Sequence, residues 1–106
     1  MEFLNKVLLR GVVGMVKTQQ VGNDRVCNFS LCTERCYNDK EGAQTVEVTW
    51  HNCSVWEKNE GPSVDIIQRG AKIELEGRMR SRKYTTSDGE ERTYQDIYVY
   101  KFAAVE

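Results

Sequence analysis

Apolar and polar positions alternate most clearly from Gly70 onward: Ala71, Ile73 and Leu75 are separated by Lys72, Glu74 and Glu76. A period of two predicts a strand with one buried face, and Gly77 breaks it where a bulge or bend would let a small sheet curl. The same reading predicts four more strands. The first runs from Leu4 to Met15, with Gly11 and Gly14 spaced as bends, and the second from Arg25 to Thr33, with Cys27, Phe29 and Leu31 facing inward. Thr45 to Trp56 is rich in β-branched and aromatic residues and forms the third. Gly70 to Tyr84 is the fourth, and Thr93 to Val105 the fifth. The polar stretches Lys17 to Asp24, Glu34 to Gln44 and Thr85 to Glu91 are predicted as loops. Between Lys58 and Arg69 the period changes. Gly61 and Pro62 read as a helix start with proline at the first helical position, Val64 and Ile67 share a side, and Gly70 is placed to end the helix.

Three strands, a helix and two strands predict an all-β fold, a five-stranded OB-fold barrel with one short helix between strands 3 and 4. At 106 residues, with no internal repeat, linker or low-complexity tract, the chain 1–106 reads as one domain. No apolar run is long enough to cross a bilayer, and Met-Glu-Phe-Leu-Asn-Lys lacks the basic head and long apolar stretch of a signal peptide. A soluble, cytoplasmic protein is the expectation. The formal charge is −1, so attraction for a polyanion has to come from local clustering.

Candidate chemistry is sparse. Cys27, Cys32, Cys36 and Cys53 do not form two CxxC knuckles, and the only histidine, His51, lies two residues from Cys53 on a predicted strand. Neither a metal site nor a disulfide is expected, and buried thiols are the better account, Cys27 sharing a face with Phe29 and Leu31. With no paired carboxylates in an apolar setting, no glycine-rich phosphate loop and no cysteine beside an evident base, an enzyme is not expected, nor is a cofactor.

Beyond Gly77 the polar face changes sign: Arg78, Arg80, Arg82 and Lys83 follow with no acid among them, and Tyr84 ends the strand. Alone, this run also fits a solvated charged face. It gains meaning beside Tyr37, Trp50 and Trp56, aromatics that an apolar core does not obviously need, and beside Arg10, Arg35 and Lys58 on the same strands and loops. Rings offer a platform for flat bases and cations a track for phosphates. Stacking contributes roughly 1–3 kcal/mol per base whatever the sequence, and the cations add a salt-dependent gain.

These segments resemble the bacterial single-stranded DNA-binding protein (SSB) family over nearly the whole chain. Asn5-Lys6-Val7-Leu8-Leu9 with Gly11 matches the family's first strand; Asn28, Ser30, Leu31 and Thr33 the second; Thr49-Trp50-His51 the third. Gly70, Glu76-Gly77 and Arg80-Ser81-Arg82-Lys83-Tyr84 match the fourth. The resemblance implies an OB fold, a homotetramer, with a dimer as the alternative, and sequence-independent ssDNA binding in replication, recombination and repair, near the nucleoid. It implies stacking on Tyr37, Trp50, Trp56 and Tyr84 and a structural place for His51 near a subunit interface, while the residues themselves point to phosphate contacts from Arg10, Arg35, Lys58, Arg78, Arg80, Arg82 and Lys83. Departures are visible too: Tyr37 and Tyr84 stand where the family often has tryptophan, and Trp56 where it often has phenylalanine. The loop after Gly14 is shorter. The sequence stops at Glu106 without the Gly/Gln-rich linker and acidic tail through which such proteins recruit enzymes, so recruitment is not expected of these residues. A protein-interaction OB module of the primosome type, with weak or no ssDNA binding, is the competing reading.

Overall fold

The computed structural model describes residues 1–58 and 61–105. Alternation becomes five long strands, β1 (Val7–Val21), β2 (Asp24–Asn38), β3 (Gln44–Trp56), β4 (Lys72–Thr85) and β5 (Glu91–Ala104). They close into a barrel in the order β1-β2-β3-β5-β4. All pairs are antiparallel except β3–β5, which closes the barrel in parallel through Cys53–Ile97, Ser54–Tyr98 and Val55–Val99. The inward positions hold Val13, Cys27, Phe29, Leu31, Cys53, Val55, Ile73, Leu75, Ile97, Val99 and Phe102, all buried. The thiol expectation holds for Cys27 and Cys53, whereas Cys32 is half-buried and Cys36 exposed.

Between β3 and β4 the helix is a single 3₁₀ turn, Val64–Ile66. Ser63 caps it by accepting a hydrogen bond from the Asp65 N–H, so Pro62 precedes the cap and does not occupy the first helical position. Val64 and Ile67 both enter the core as their spacing predicts. Glu57 anchors the turn: its carboxylate accepts from Arg25 Nε and Nη2, from Ser63 Oγ and from the Val64 N–H, while Arg25 Nη1 reaches Asp65 at 3.1 Å. Four donors on one carboxylate stabilise its charged form. Arg25 first and the Val64 N–H second lower the Glu57 pKa to about 2.

The strands run further than the alternation alone predicts. β1 and β2 continue to a tight turn at Gly22-Asn23, and β2 and β3 pair as far as Asn38–Gln44. The β1 half of the first extension and the β2 half of the second fall in stretches expected as loop, Lys17 to Asp24 and Glu34 to Gln44, where mostly polar residues lose the period-two contrast. Local chemistry closes the turns instead. Asp39 Oδ1 accepts from the N–H groups of Glu41 and Ala43, and Thr86 Oγ1 from that of Glu90. Two hairpins therefore project past the closed barrel, one built from β2 and β3 and the other from β4 and β5, giving an elongated shape of 54 × 40 × 37 Å.

Of the glycines expected at bends, Gly14 and Gly77 lie at register shifts, whereas at Gly11 the β1–β4 register runs unbroken from Val7 to Val12. The β1–β2 register shifts between Val13 and Val16, across Gly14. The β4–β5 register shifts at Glu76/Gly77, where Tyr100 is the extra residue on β5, so the bulge belongs to the partner strand. Gly77 is needed because a Cβ there would collide with the Tyr98 carbonyl.

Candidate nucleic-acid interface

Pairing register decides which predicted residues share a surface. On β3 the inward set is Cys53 and Val55, so Trp50 and Trp56 both project outward, six residues apart on one face. Trp50 is 57 % exposed and lies over the β1 bend. A Cβ on Gly14 would stand 2.6 Å from Trp50 Cζ3 and 2.8 Å from Ser30 Oγ, so the missing side chain forms the seat of the indole. Ser30 Oγ also accepts from the Met15 N–H at 2.9 Å, pinning that bend. Trp56 is half-buried beside Val26, its partner on β2. Together with Lys58, Pro62 and Tyr100 it lines a recess of about 200 Å³. Lys58 Nζ donates to the Tyr100 carbonyl at 3.4 Å.

Across the parallel β3–β5 seam the outward face continues through Ser54 and Tyr98 onto β4. There Arg78, Arg80, Arg82 and Tyr84 face Tyr98, Asp96, Tyr94 and Arg92 respectively. Arginine therefore meets tyrosine across the two strands at three of these four pairs and aspartate at the remaining one. The Arg78 and Arg80 guanidinium carbons lie 4.8 and 5.0 Å from the Tyr98 ring centroid, and that of Arg82 lies 5.9 Å from Tyr94. These are cation–π distances. Tyr94 meets Tyr84 edge to face at 5.6 Å. Arg80 binds Asp96 through two hydrogen bonds of 2.8 and 3.2 Å, the first cause of its raised pKa.

Other predicted residues lie elsewhere. Lys83 pairs with Thr93 and projects from the opposite face of the β4–β5 hairpin, since its neighbours Arg82 and Tyr84 hold the outward one. Arg35 and Tyr37 share the face of Leu31, away from Trp50, with the guanidinium 5.7 Å from the ring. His51 is on that side too. It is half-buried, bonded through Nε2 to Thr33 Oγ1 at 2.9 Å, and burial lowers its pKa, which keeps the imidazole neutral at pH 7. Arg10 stands on the β1–β4 wall, tied to Glu74 at 3.0 Å beside a separate recess of about 380 Å³. The four cysteines are not gathered: Cys27 and Cys53 face the core, Cys32 and Cys36 the outside.

One surface thus holds Trp50, Trp56, Arg78, Arg80, Arg82 and Tyr84. It also holds Tyr94, Tyr98 and Tyr100 of β5, which the sequence reading did not select. Their signal was present, since Tyr94, Asp96 and Tyr98 alternate. Only the cross-strand register shows that an arginine faces or flanks Tyr94 and Tyr98.

The sequence profile of the single-strand binding protein family matches residues 4–105. The chain belongs to that family. Over 97 residues it is 39 % identical to single-stranded DNA-binding proteins of two Neisseria meningitidis strains, one of serogroup A and one of serogroup B. In each case the match covers 89 % of this chain and 55 % of the relative, so the chain spans about half the relatives' length. Among solved structures it superposes on a Plasmodium falciparum SSB complex with ssDNA with a TM-score of 0.83 at 24 % identity, covering 100 % of this chain and 98 % of that one. A deletion mutant of the single-stranded DNA binding protein from Thermus aquaticus superposes with a TM-score of 0.76 at 19 % identity, over 97 % and 51 % of the two chains. At those identities the likeness bears on the fold, and it agrees with the closed five-stranded barrel.

Proposed function

We propose that this family member binds single-stranded DNA without regard to sequence and protects it during replication, recombination and repair. One observation carries the reading: an exposed tryptophan, a half-buried one and an arginine–tyrosine ladder lie on one continuous outward sheet. Bases stack on Trp50, Trp56 and Tyr84, and the phosphates run past the arginines of β4. Tyr37 and Arg35, on the far side of the β2–β3 hairpin, join the path where a strand passes around its edge. Lys58, Lys83 and Arg10 serve as outlying phosphate contacts. The work is physical: occupied bases can neither pair nor fold back.

Assembly is part of the proposal. Phe3 and Leu4, before β1, and Leu8, within it, are 92, 88 and 66 % exposed, apolar side chains that a second copy would cover. A homotetramer is the state we assign, with His51 near a subunit interface, and light scattering that reports a monomer would revise it. Binding itself is tested by titrating intrinsic tryptophan fluorescence with oligo(dT) at low and high salt. Quenching that saturates and weakens as salt rises is the expected result. Fluorescence that stays unchanged at low salt would favour the protein-interaction reading.

A further inference from the structure

Asp96 is the only buried carboxylate among the described residues, 7 % exposed, yet it sits on the outward face of β5 and not in the barrel. Two arginines cover it. Arg80 takes both oxygens, Nε to Oδ1 at 2.8 Å and Nη2 to Oδ2 at 3.2 Å, and Arg82 Nη1 stands 3.8 Å from Oδ2. A carboxylate withdrawn from water needs such partners, and a planar guanidinium meeting it through two bonds is the strongest of them. Arg80 therefore spends its charge on Asp96 while keeping a flat face against Tyr98. Arg78 flanks the same ring, and among the described residues no carboxylate lies within ion-pair distance of it.

We propose that Asp96 is a positioning residue of the binding face: it withholds Arg80 from phosphate and turns the guanidinium into stacking surface, leaving the phosphate contacts on this face of β4 to Arg78 and Arg82. The argument is one of counterions. A cation already neutralised by a buried carboxylate has no charge to spare for a phosphate, so it displaces no cation condensed on the strand and adds nothing to the salt dependence of binding. The inference rests on the ssDNA reading and refines it, dividing the arginines of one strand into two kinds.

The test is the log–log slope of oligo(dT) affinity against salt, read by tryptophan quenching. Arg78→Ala should flatten the slope by about 0.7, the value for one single-strand phosphate contact. The double substitution Arg80→Gln/Asp96→Asn should lower affinity while keeping the wild-type slope, because it removes a pair that was already balanced. Asp96→Asn alone frees Arg80 and should steepen the slope by about 0.7. A double variant that flattens as Arg78→Ala does, or an Asp96→Asn slope equal to wild type, overturns the proposal. A measurement on the unsubstituted protein keeps the question decidable should either variant fail to fold. The Arg80 Nε–H signal in NMR should be protected from exchange and persist on adding oligo(dT), and its loss from the pair on binding overturns the assignment. Wild-type protein that binds no oligo(dT) while that signal is protected would instead remove the ssDNA reading and leave the Asp96–Arg80 pair standing.

Discussion

The two projecting hairpins use the same kinds of side chain in opposite ways. On the outward face of the β2–β3 hairpin, Trp50 rests on Gly14 and Ser30, flanked along β3 by Val46 and Val48, which are 51 and 50 % exposed, and among the described residues no arginine stacks on its ring. On the β4–β5 hairpin the exposed rings come with cations. Arg78 and Arg80 hold Tyr98, Arg82 lies over Tyr94, and Tyr94 braces Tyr84. One hairpin offers a large bare ring on a glycine seat, the other a ladder whose charges are partly balanced by Asp96. Stacking on the first should be nearly indifferent to salt. Binding along the second should depend on salt through only some of its arginines.

The contrast can be broken most severely at the root of the ladder. Gly77→Ala places a Cβ against the Tyr98 carbonyl, a backbone atom that cannot turn aside, and is expected to destabilise the fold by about 3 kcal/mol or more in urea unfolding. The corresponding change under the other hairpin meets a side chain instead. Gly14→Ala should tilt the Trp50 indole with a smaller loss of stability, so that a lowered oligo(dT) affinity outweighs any fall in the urea midpoint. Equal stability losses at the two glycines would erase the distinction.

Next in size is Trp50→Ala, which should weaken oligo(dT) binding by about 1–3 kcal/mol with the melting temperature nearly unchanged, because the ring is mostly exposed. Wild-type affinity would move the stacking to the other hairpin. The smallest effect on binding is expected at the 3₁₀ turn, at the opposite end of the β2–β3 pair from its hairpin tip. Glu57 is held at about 2 against an ordinary 4.5, so its contribution to stability is complete above pH 4.5 and is lost as the pH falls towards 2. Glu57→Gln should remove that part of the acid dependence in thermal melts and leave oligo(dT) affinity at pH 7 unaltered.

Much of this was legible in the chain. The alternation at Ala71, Ile73 and Leu75 and at Cys27, Phe29 and Leu31 located two walls of the core, and Gly14 and Gly77 marked the bends. Helix chemistry was legible in part: Val64 and Ile67 were core positions as expected, but Ser63, bonded to the Asp65 N–H, is the cap, so Pro62 lies before the turn and not at its first position. The extensions of β1 to Val21 and of β2 to Asn38 were not legible, because mostly polar residues there lose the period-two contrast, whereas β3, β4 and β5 were legible nearly to their ends.

What the chain determined by itself was therefore the set of inward side chains, the places where strands bend, and the presence of rings and cations with period-two neighbours. That follows from covalent geometry, since adjacent strand residues must point to opposite faces. Even the separation of Lys83 from Arg82 and Tyr84 is implied by that rule. Tertiary structure alone decided who meets whom: that Arg80 faces Asp96, that Tyr98 meets two guanidinium groups, and that Tyr37 and Trp50 occupy opposite sides of one hairpin. Those facts depend on register between strands distant in sequence, set by bulges, turns and barrel closure acting together.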